Sequence, residues 1–379
     1  MKRLVSIFAG MIVALGLLPT AGAGPTPGGM TSNKVQWVSF VPFDQSTSTG
    51  VSFWKKYMFL TSWKNISIYD VSKPASPALF ATKPVGFQFE NEDVASNGKI
   101  MLFSESLPLN VLHVWDVEDK SNPVEIAQVS GAGDHTTSCI LDCKWAYGSS
   151  GHITDLRNPS KPKLYKKTWK QLTGFQGGVH DVSEYKRGFI LVSGYGELAT
   201  MDVRNPIKPK VLVRTKNANT NFIFHSGLWP RGGNDRWVLM QGEQNAQTRC
   251  DKNTGPFQTF DTRGWQRTRQ FKLRDTFRVK NGIYADGSPA VNGLGCSAHW
   301  FTYHPTFRNG GLVTMGYYEH GTRFFDVQSN GEIKEVGWFL PWGGSTSAAY
   351  WVPTDKNRRT VYAVDYTRGI DILRYRGKF

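Results

Sequence analysis

"LATMDVRNPIKPKVL", residues 198–212, carries an alternating apolar stretch into an aspartate, then two prolines, then a second apolar stretch. Alternation of this kind suits a strand buried on both sides between stacked sheets. The aspartate can accept backbone N–H bonds from the turn it opens, and the prolines set the dihedrals of that turn. The same phrase occurs as "ISIYDVSKPASPALF" (66–80), "LHVWDVEDKSNPVEI" (112–126) and "HITDLRNPSKPKLY" (152–165). It returns in weaker form as "FQTFDTRGWQRTRQF" (257–271), then as "TRFFDVQSNGEIKEV" (322–336) and "GIDILRYRGKF" (369–379).

Six copies are marked by Asp70, Asp116, Asp155, Asp202, Asp261 and Asp326; Arg374 stands in the seventh. Successive markers lie 46, 39, 47, 59, 65 and 48 residues apart, and two further strand-like runs precede each one. A period of this length with four strands per copy describes an all-β protein, a seven-bladed β-propeller. The last copy ends after its third strand. "NKVQWVSFVPF" (33–43) has the pattern of a free strand, and the expectation is that it completes the last blade and closes the ring.

The remaining organisation is simple. "MKRLVSIFAGMIVALGLLPTAGAG" has a basic start, an apolar run and a small-residue site, so residues 1–23 read as a secretory signal. Residues 24–33 read as a linker and 34–379 as one propeller domain. No later segment reaches membrane-spanning length, so an integral membrane protein is not expected. A closed ring of single-copy blades suggests a monomer. The four cysteines of an exported chain are expected as two disulfides, Cys139–Cys143 and Cys250–Cys296.

"YDVSKPASPALF", "MDVRNPIKPKVL" and "VYAVDYTRGIDILRY" resemble the repeats of LVIVD-repeat propeller proteins of secreted type. "AHWFTYHPTFRNGGLVTMGYYEHGTRFFDV" and "GGSTSAAYWVPTD" are similar to longer segments of the actinobacterial members. The resemblance covers nearly the whole chain after residue 23. It implies the architecture and export, and it implies no particular reaction.

In a propeller the innermost strand of each blade lines the central channel. The positions that fall there are Glu92 in "ENEDVAS", His135 in "GDHTTSC", His180 in "GGVHDVS", His225 in "FIFHSGLW" and His299 in "CSAHWFTYH". The next blade offers Ser345 or Thr346. The chain has 8 histidines, so four in one register is a pattern rather than scatter. Converging imidazoles with a carboxylate suit a divalent Zn, Cu, Fe or Mn ion, or a small ligand, in the channel. Asp93, Asp134, Asp181 and His320 are candidates to support that pocket, as orienting partners of the ligands. Carotenoid-cleaving oxygenases, which hold iron on a propeller axis with four histidines, are an architectural analogy only. The competing reading is a hydrogen-bonded, water-filled channel lining.

Charge points elsewhere. The formal net charge of +15 falls to +13 without Lys2 and Arg3. It is concentrated in 157–170, 204–216 and 263–280. Arg157, Lys161, Lys163, Lys166, Lys167, Arg204, Lys208 and Lys210 are therefore candidates for an anion-binding rim. For an exported protein this favours an anionic cell-wall polymer over nucleic acid. The alternative to an axial pocket is thus a non-enzymatic cell-envelope module, binding polyanions or a protein partner through its rim.

Overall fold

Each copy of the phrase is the third strand of an antiparallel sheet, and its aspartate makes the expected turn. Asp70, Asp116, Asp155, Asp202 and Asp261 accept the backbone N–H two residues on, at 2.8–3.1 Å. At Asp326 the side-chain amide of Gln328 takes that place, at 2.6 Å. In three blades an arginine two residues on closes over the carboxylate (Arg157, Arg204 and Arg263).

The computed structural model describes residues 28–42, 48–62, 64–85, 92, 94–106, 109–216, 222–243, 250, 254–280 and 294–379. The proposed signal segment lies outside them. Seven sheets follow one another around a ring. Blade 1 is Ser48–Trp54, Tyr57–Ser62, Asn65–Asp70 and Ala78–Pro84. Blade 2 is Ile100–Glu105, Val111–Asp116 and Val124–Ser130, its inner edge held by the Ser96–Met101 bridge. Blade 3 runs from Thr137–Ile140 to Lys163–Leu164, blade 4 from Val179–Lys186 to Lys210–Lys216, and blade 5 from Ile223–Leu228 to Lys272–Phe277. Blade 6 begins at Phe301–Tyr303 and blade 7 at Thr346–Trp351.

The ring closes as the N-terminal strand pattern predicts. Val35–Pro42 pairs antiparallel with Gly369–Tyr375, from Val35 opposite Tyr375 to Pro42 opposite Gly369. The adjoining stretch differs from the linker expectation: Gly29–Thr31 forms a fifth strand on the outer edge of blade 6, along Ile333–Pro341. Its glycine serves close approach rather than flexibility, since a Cβ at Gly29 would stand 2.1 Å from the Leu340 carbonyl oxygen.

Apolar side chains fill the wedges between blades. Among the described residues seven buried clusters form, one at each interface, including the Val51/Leu60/Tyr362/Ile372 cluster that joins blade 1 to blade 7. Tyr185 and Trp229 pack into such a wedge beside Phe271, and Trp351 into another. Both disulfides form as paired above. No helix among the described residues is long and apolar enough to cross a membrane.

Candidate metal centre

A β-bulge explains how inner strands aim imidazoles at the axis. In blade 4, Val179 pairs with Gly194 and Asp181 with Ser193, so His180 is the extra residue. In blade 5, Phe224 pairs with Gly242 and Ser226 with Gln241, which leaves His225 extra. Blade 7 repeats the device at Ser347, rather than at Ser345 or Thr346. A bulged residue leaves the ladder, and its side chain is re-aimed.

The bulge also releases a carbonyl, and the neighbouring blade uses it. His225 O accepts from His180 Nδ1 at 3.0 Å, and Ser347 O accepts from His299 Nδ1 at 2.6 Å. A carbonyl can only accept, so both Nδ1 atoms carry a proton, and in the neutral ring each Nε2 presents a lone pair. Thr136 Oγ1 donates to His180 O in the same manner.

The lone pairs meet one carboxylate. Glu92 Oε2 lies 3.6 Å from His135 Nε2, 3.7 Å from His180 Nε2 and 3.1 Å from His225 Nε2. Glu92 Oε1 lies 3.3 Å from His299 Nε2. All five proposed ligands therefore converge. Donors held about 2.1 Å from one ion stand roughly 3–3.5 Å apart, which this spacing approaches. Glu92, His225 and His299 are essentially buried, whereas the His135 side chain is 31% exposed. The cluster is open on the His135 side.

Four further residues complete the centre without having been singled out as ligands. Glu243 Oε2 stands 3.5 Å from His225 Nε2, and Tyr318 donates to the other Glu243 oxygen. Trp300 Nε1 donates to Glu92 Oε2 at 3.0 Å, and Tyr366 OH to Oε1 at 3.3 Å. A signal for Glu243 does exist. "LFSE" (102–105), "MQGE" (240–243) and "AVD" (363–365) each end a second strand with an acid. Of these, Glu105 turns to His113 and Asp365 to Thr367.

The expected supporting residues divide. Asp181 is buried next to His180 and accepts from Ser183 at 2.6 Å. Asp134 is not at the centre: it accepts from His152 Nδ1 at 2.9 Å and from Ser150 N. His320 is not there either, because Nδ1 meets Gly295 O at 3.2 Å and the imidazole lies against the Cys250–Cys296 pair. Asp93 lies outside the described residues. The eight rim bases are all exposed, but Arg157 and Arg204 are committed to their own repeat aspartates.

The electrostatics follow from burial. Desolvation penalises the Glu92 carboxylate, yet the imidazoles of His299, His225 and His135 outweigh it and hold it well below the usual range. Burial pushes His180 well below the ordinary imidazole value, helped by His225 and His135. His225 is lowered by burial and by His299. Burial acts on His299 too, but attraction to Glu92 and Glu243 wins and raises it. Without a metal, His299 is thus the favoured site for a proton facing Glu92. Two buried acids, Glu92 and Glu243, thus face the Nε2 atoms of the cluster, a donor set that suits a cation.

A cleft of about 450 Å³ approaches the centre between blades 1 to 4 and ends at Trp300. The Trp300 indole separates it from Glu92, contacting the imidazole of His225 at 5.2 Å between centroids.

The fold and site together define a seven-bladed propeller with a candidate His/Glu metal cluster on its axis. Neither a protein-family model nor a curated protein matches the chain. Solved propellers do. The periplasmic gluconolactonase of Pseudomonas aeruginosa is 9% identical with a TM-score of 0.55, covering 79% of this chain and 86% of its own. U3-55K is 10% identical at 0.59, covering 93% of this chain and 100% of its own. A chain of the mitotic checkpoint complex is 11% identical at 0.55, covering 96% and 99% respectively. At such identities the likeness shows the fold alone.

Proposed function

We propose that this chain is a secreted LVIVD-repeat propeller that holds a divalent transition metal on its axis and presents it to a small ligand. One observation carries the reading: the Nε2 atoms of four histidines on four blades stand within 3.1–3.7 Å of a single carboxylate, Glu92. His180, His225, His299 and Glu92 are the ligands in this reading. Glu243 neutralises charge beside His225, and the exposed His135 borders the position left for water or substrate. The donor set is nitrogen and oxygen only, since the cysteines are paired as disulfides. That favours Zn, Fe, Mn or Cu. A bound ion there would polarise an oxygen ligand or lower the pKa of a bound water. Tyr318, which donates to Glu243, would hold that carboxylate in place beside His225.

The test is elemental analysis of the purified protein after reconstitution with each of the four metals. A near-stoichiometric ion in the native chain, lost in E92Q and in a His135/His180/His225 triple alanine variant, supports the centre. Negligible metal in all three proteins overturns it, leaving a hydrogen-bonded channel lining.

A further inference from the structure

Among the described residues, one group of ligand-type side chains lies off the axis. The Sγ atoms of Cys250 and Cys296 and an imidazole nitrogen of His320 lie within 4.8 Å of one another. Three separate segments supply them. Cys250 belongs to the connection between the second and third strands of blade 5, and Cys296 precedes the inner strand of blade 6. His320 lies in the turn between the second and third strands of blade 6. In the oxidised chain the two sulfurs are bonded to each other.

The surroundings hold these segments without help from that bond. Ser297 bridges Gly255, Ala298 N donates to Gly255 O at 3.3 Å, and Tyr317 OH donates to the same carbonyl at 2.9 Å. Leu294 N donates to Glu319 Oε1 at 3.2 Å, and His320 Nδ1 donates to Gly295 O at 3.2 Å. Cys250 packs against the apolar cluster that contains Cys296. Reduction therefore leaves two thiols beside an imidazole, with the cysteine Cα atoms 5.3 Å apart. Thiolates with bonds of about 2.3 Å to a metal can share one ion across such a separation.

Charge and softness decide what would enter. Cys296 and His320 are fully buried. A divalent cation held by two thiolates and a neutral imidazole is electrically neutral as a unit, the form that burial penalises least. Sulfur donors select thiophilic ions such as Zn²⁺ over Mg²⁺ or Ca²⁺.

We propose that reduction of the Cys250–Cys296 disulfide creates a second metal site, in which Cys250, Cys296 and His320 bind a thiophilic divalent cation. A dithiol reductant attacks at Cys250, the partly exposed sulfur. It gives up two electrons and two protons and becomes a disulfide, while Cys250 and Cys296 become thiols. The cation then displaces one proton from each thiol. The site shares no ligand with the axial centre and does not depend on it.

Cobalt(II) tests the assignment, because thiolate-to-cobalt charge transfer gives a near-ultraviolet band that nitrogen and oxygen donors do not. The C139S/C143S chain, reduced with a phosphine and desalted without oxygen, is expected to hold about one thiolate-bound Co²⁺. The oxidised chain is expected to show no such band. C250S/C296S should abolish the band, and H320F should weaken Co²⁺ at this site by at least about tenfold. Absence of the band from the reduced C139S/C143S chain overturns the site. A band that survives C250S/C296S belongs to the other cysteine pair and overturns it too, and unchanged affinity in H320F overturns the three-residue assignment. Circular dichroism checks folding. Should C139S/C143S fail to fold, the reduced native chain is compared with its H320F variant, and a band indifferent to that change overturns the site. A native chain that unfolds on reduction also overturns it, since the site requires the fold.

Discussion

The histidines of this chain fall into two sets, and the contrast separates axis from periphery. His113 has Glu125 and Glu105, His152 has Asp134, His304 has Thr306 and the Arg358 carbonyl, and His320 has Gly295 O. Each of these four has its own partner. On the axis, His135, His180, His225 and His299 share one glutamate, with a second beside His225. A polar core built for stability supplies one partner per donor. On the axis His180 and His299 keep a carbonyl at Nδ1, while four Nε2 atoms crowd a single carboxylate, an arrangement that a bound cation would satisfy.

Breaking that contrast at its centre should have the largest effect. E92Q removes the charge of the carboxylate common to all four imidazoles, and the expected loss in metal affinity is on the order of a thousand-fold, about 4 kcal/mol, measured by competition with a chelating dye. H152A is the matching peripheral change. It strands the buried Asp134 carboxylate and should cost about 1–3 kcal/mol of stability in urea unfolding, with metal affinity unchanged. Equal effects of the two variants on metal binding would erase the distinction.

A third buried carboxylate sharpens it. Asp371, at the closure of the ring, has its carboxyl lifted to about 6 by burial, against the opposing pull of Arg368 and Trp37. The native state therefore binds this proton more tightly than the unfolded chain, whose value is near 3.8. Its contribution is present below pH 4 and is lost as pH rises through about 6. Metal-free protein should show this loss, up to about 3 kcal/mol and partly masked by other groups, and D371N should flatten the profile between pH 4 and 6. A guanidinium at 3.0 Å does not abolish the penalty of burial here, whereas the several imidazoles around Glu92 do.

The smallest effect is expected at the outer edge. D202A removes a turn acceptor and a solvent-exposed partner of Arg204, and should lower stability by at most about 1 kcal/mol, weakening further with salt. A larger, salt-insensitive loss would mean that the repeat aspartates carry the blades rather than shape their turns.

The legible part of the site was its register. Reading each repeat at its innermost position picked out Glu92 and four histidines; His180 and His225 lie within inner strands, whereas His135 and His299 lie just before theirs. Asp134 and His320 were misplaced because adjacency along the chain says nothing of the direction a side chain takes. Asp134 precedes His135, yet it points to His152. The bulges at His180, His225 and Ser347 leave no mark in composition, since they are read only from which residues pair across strands.

What the sequence determined by itself was local and repeated: strand alternation, an aspartate opening a turn, prolines setting it, and a spare N-terminal strand for an incomplete last blade. Each of these acts within a few residues, so one chain suffices to show it. Only the closed ring decided that imidazoles more than a hundred residues apart share one carboxylate, and that His320 lies against the Cys250–Cys296 pair. Those encounters depend on blade packing, which sets distances between segments that no local rule connects.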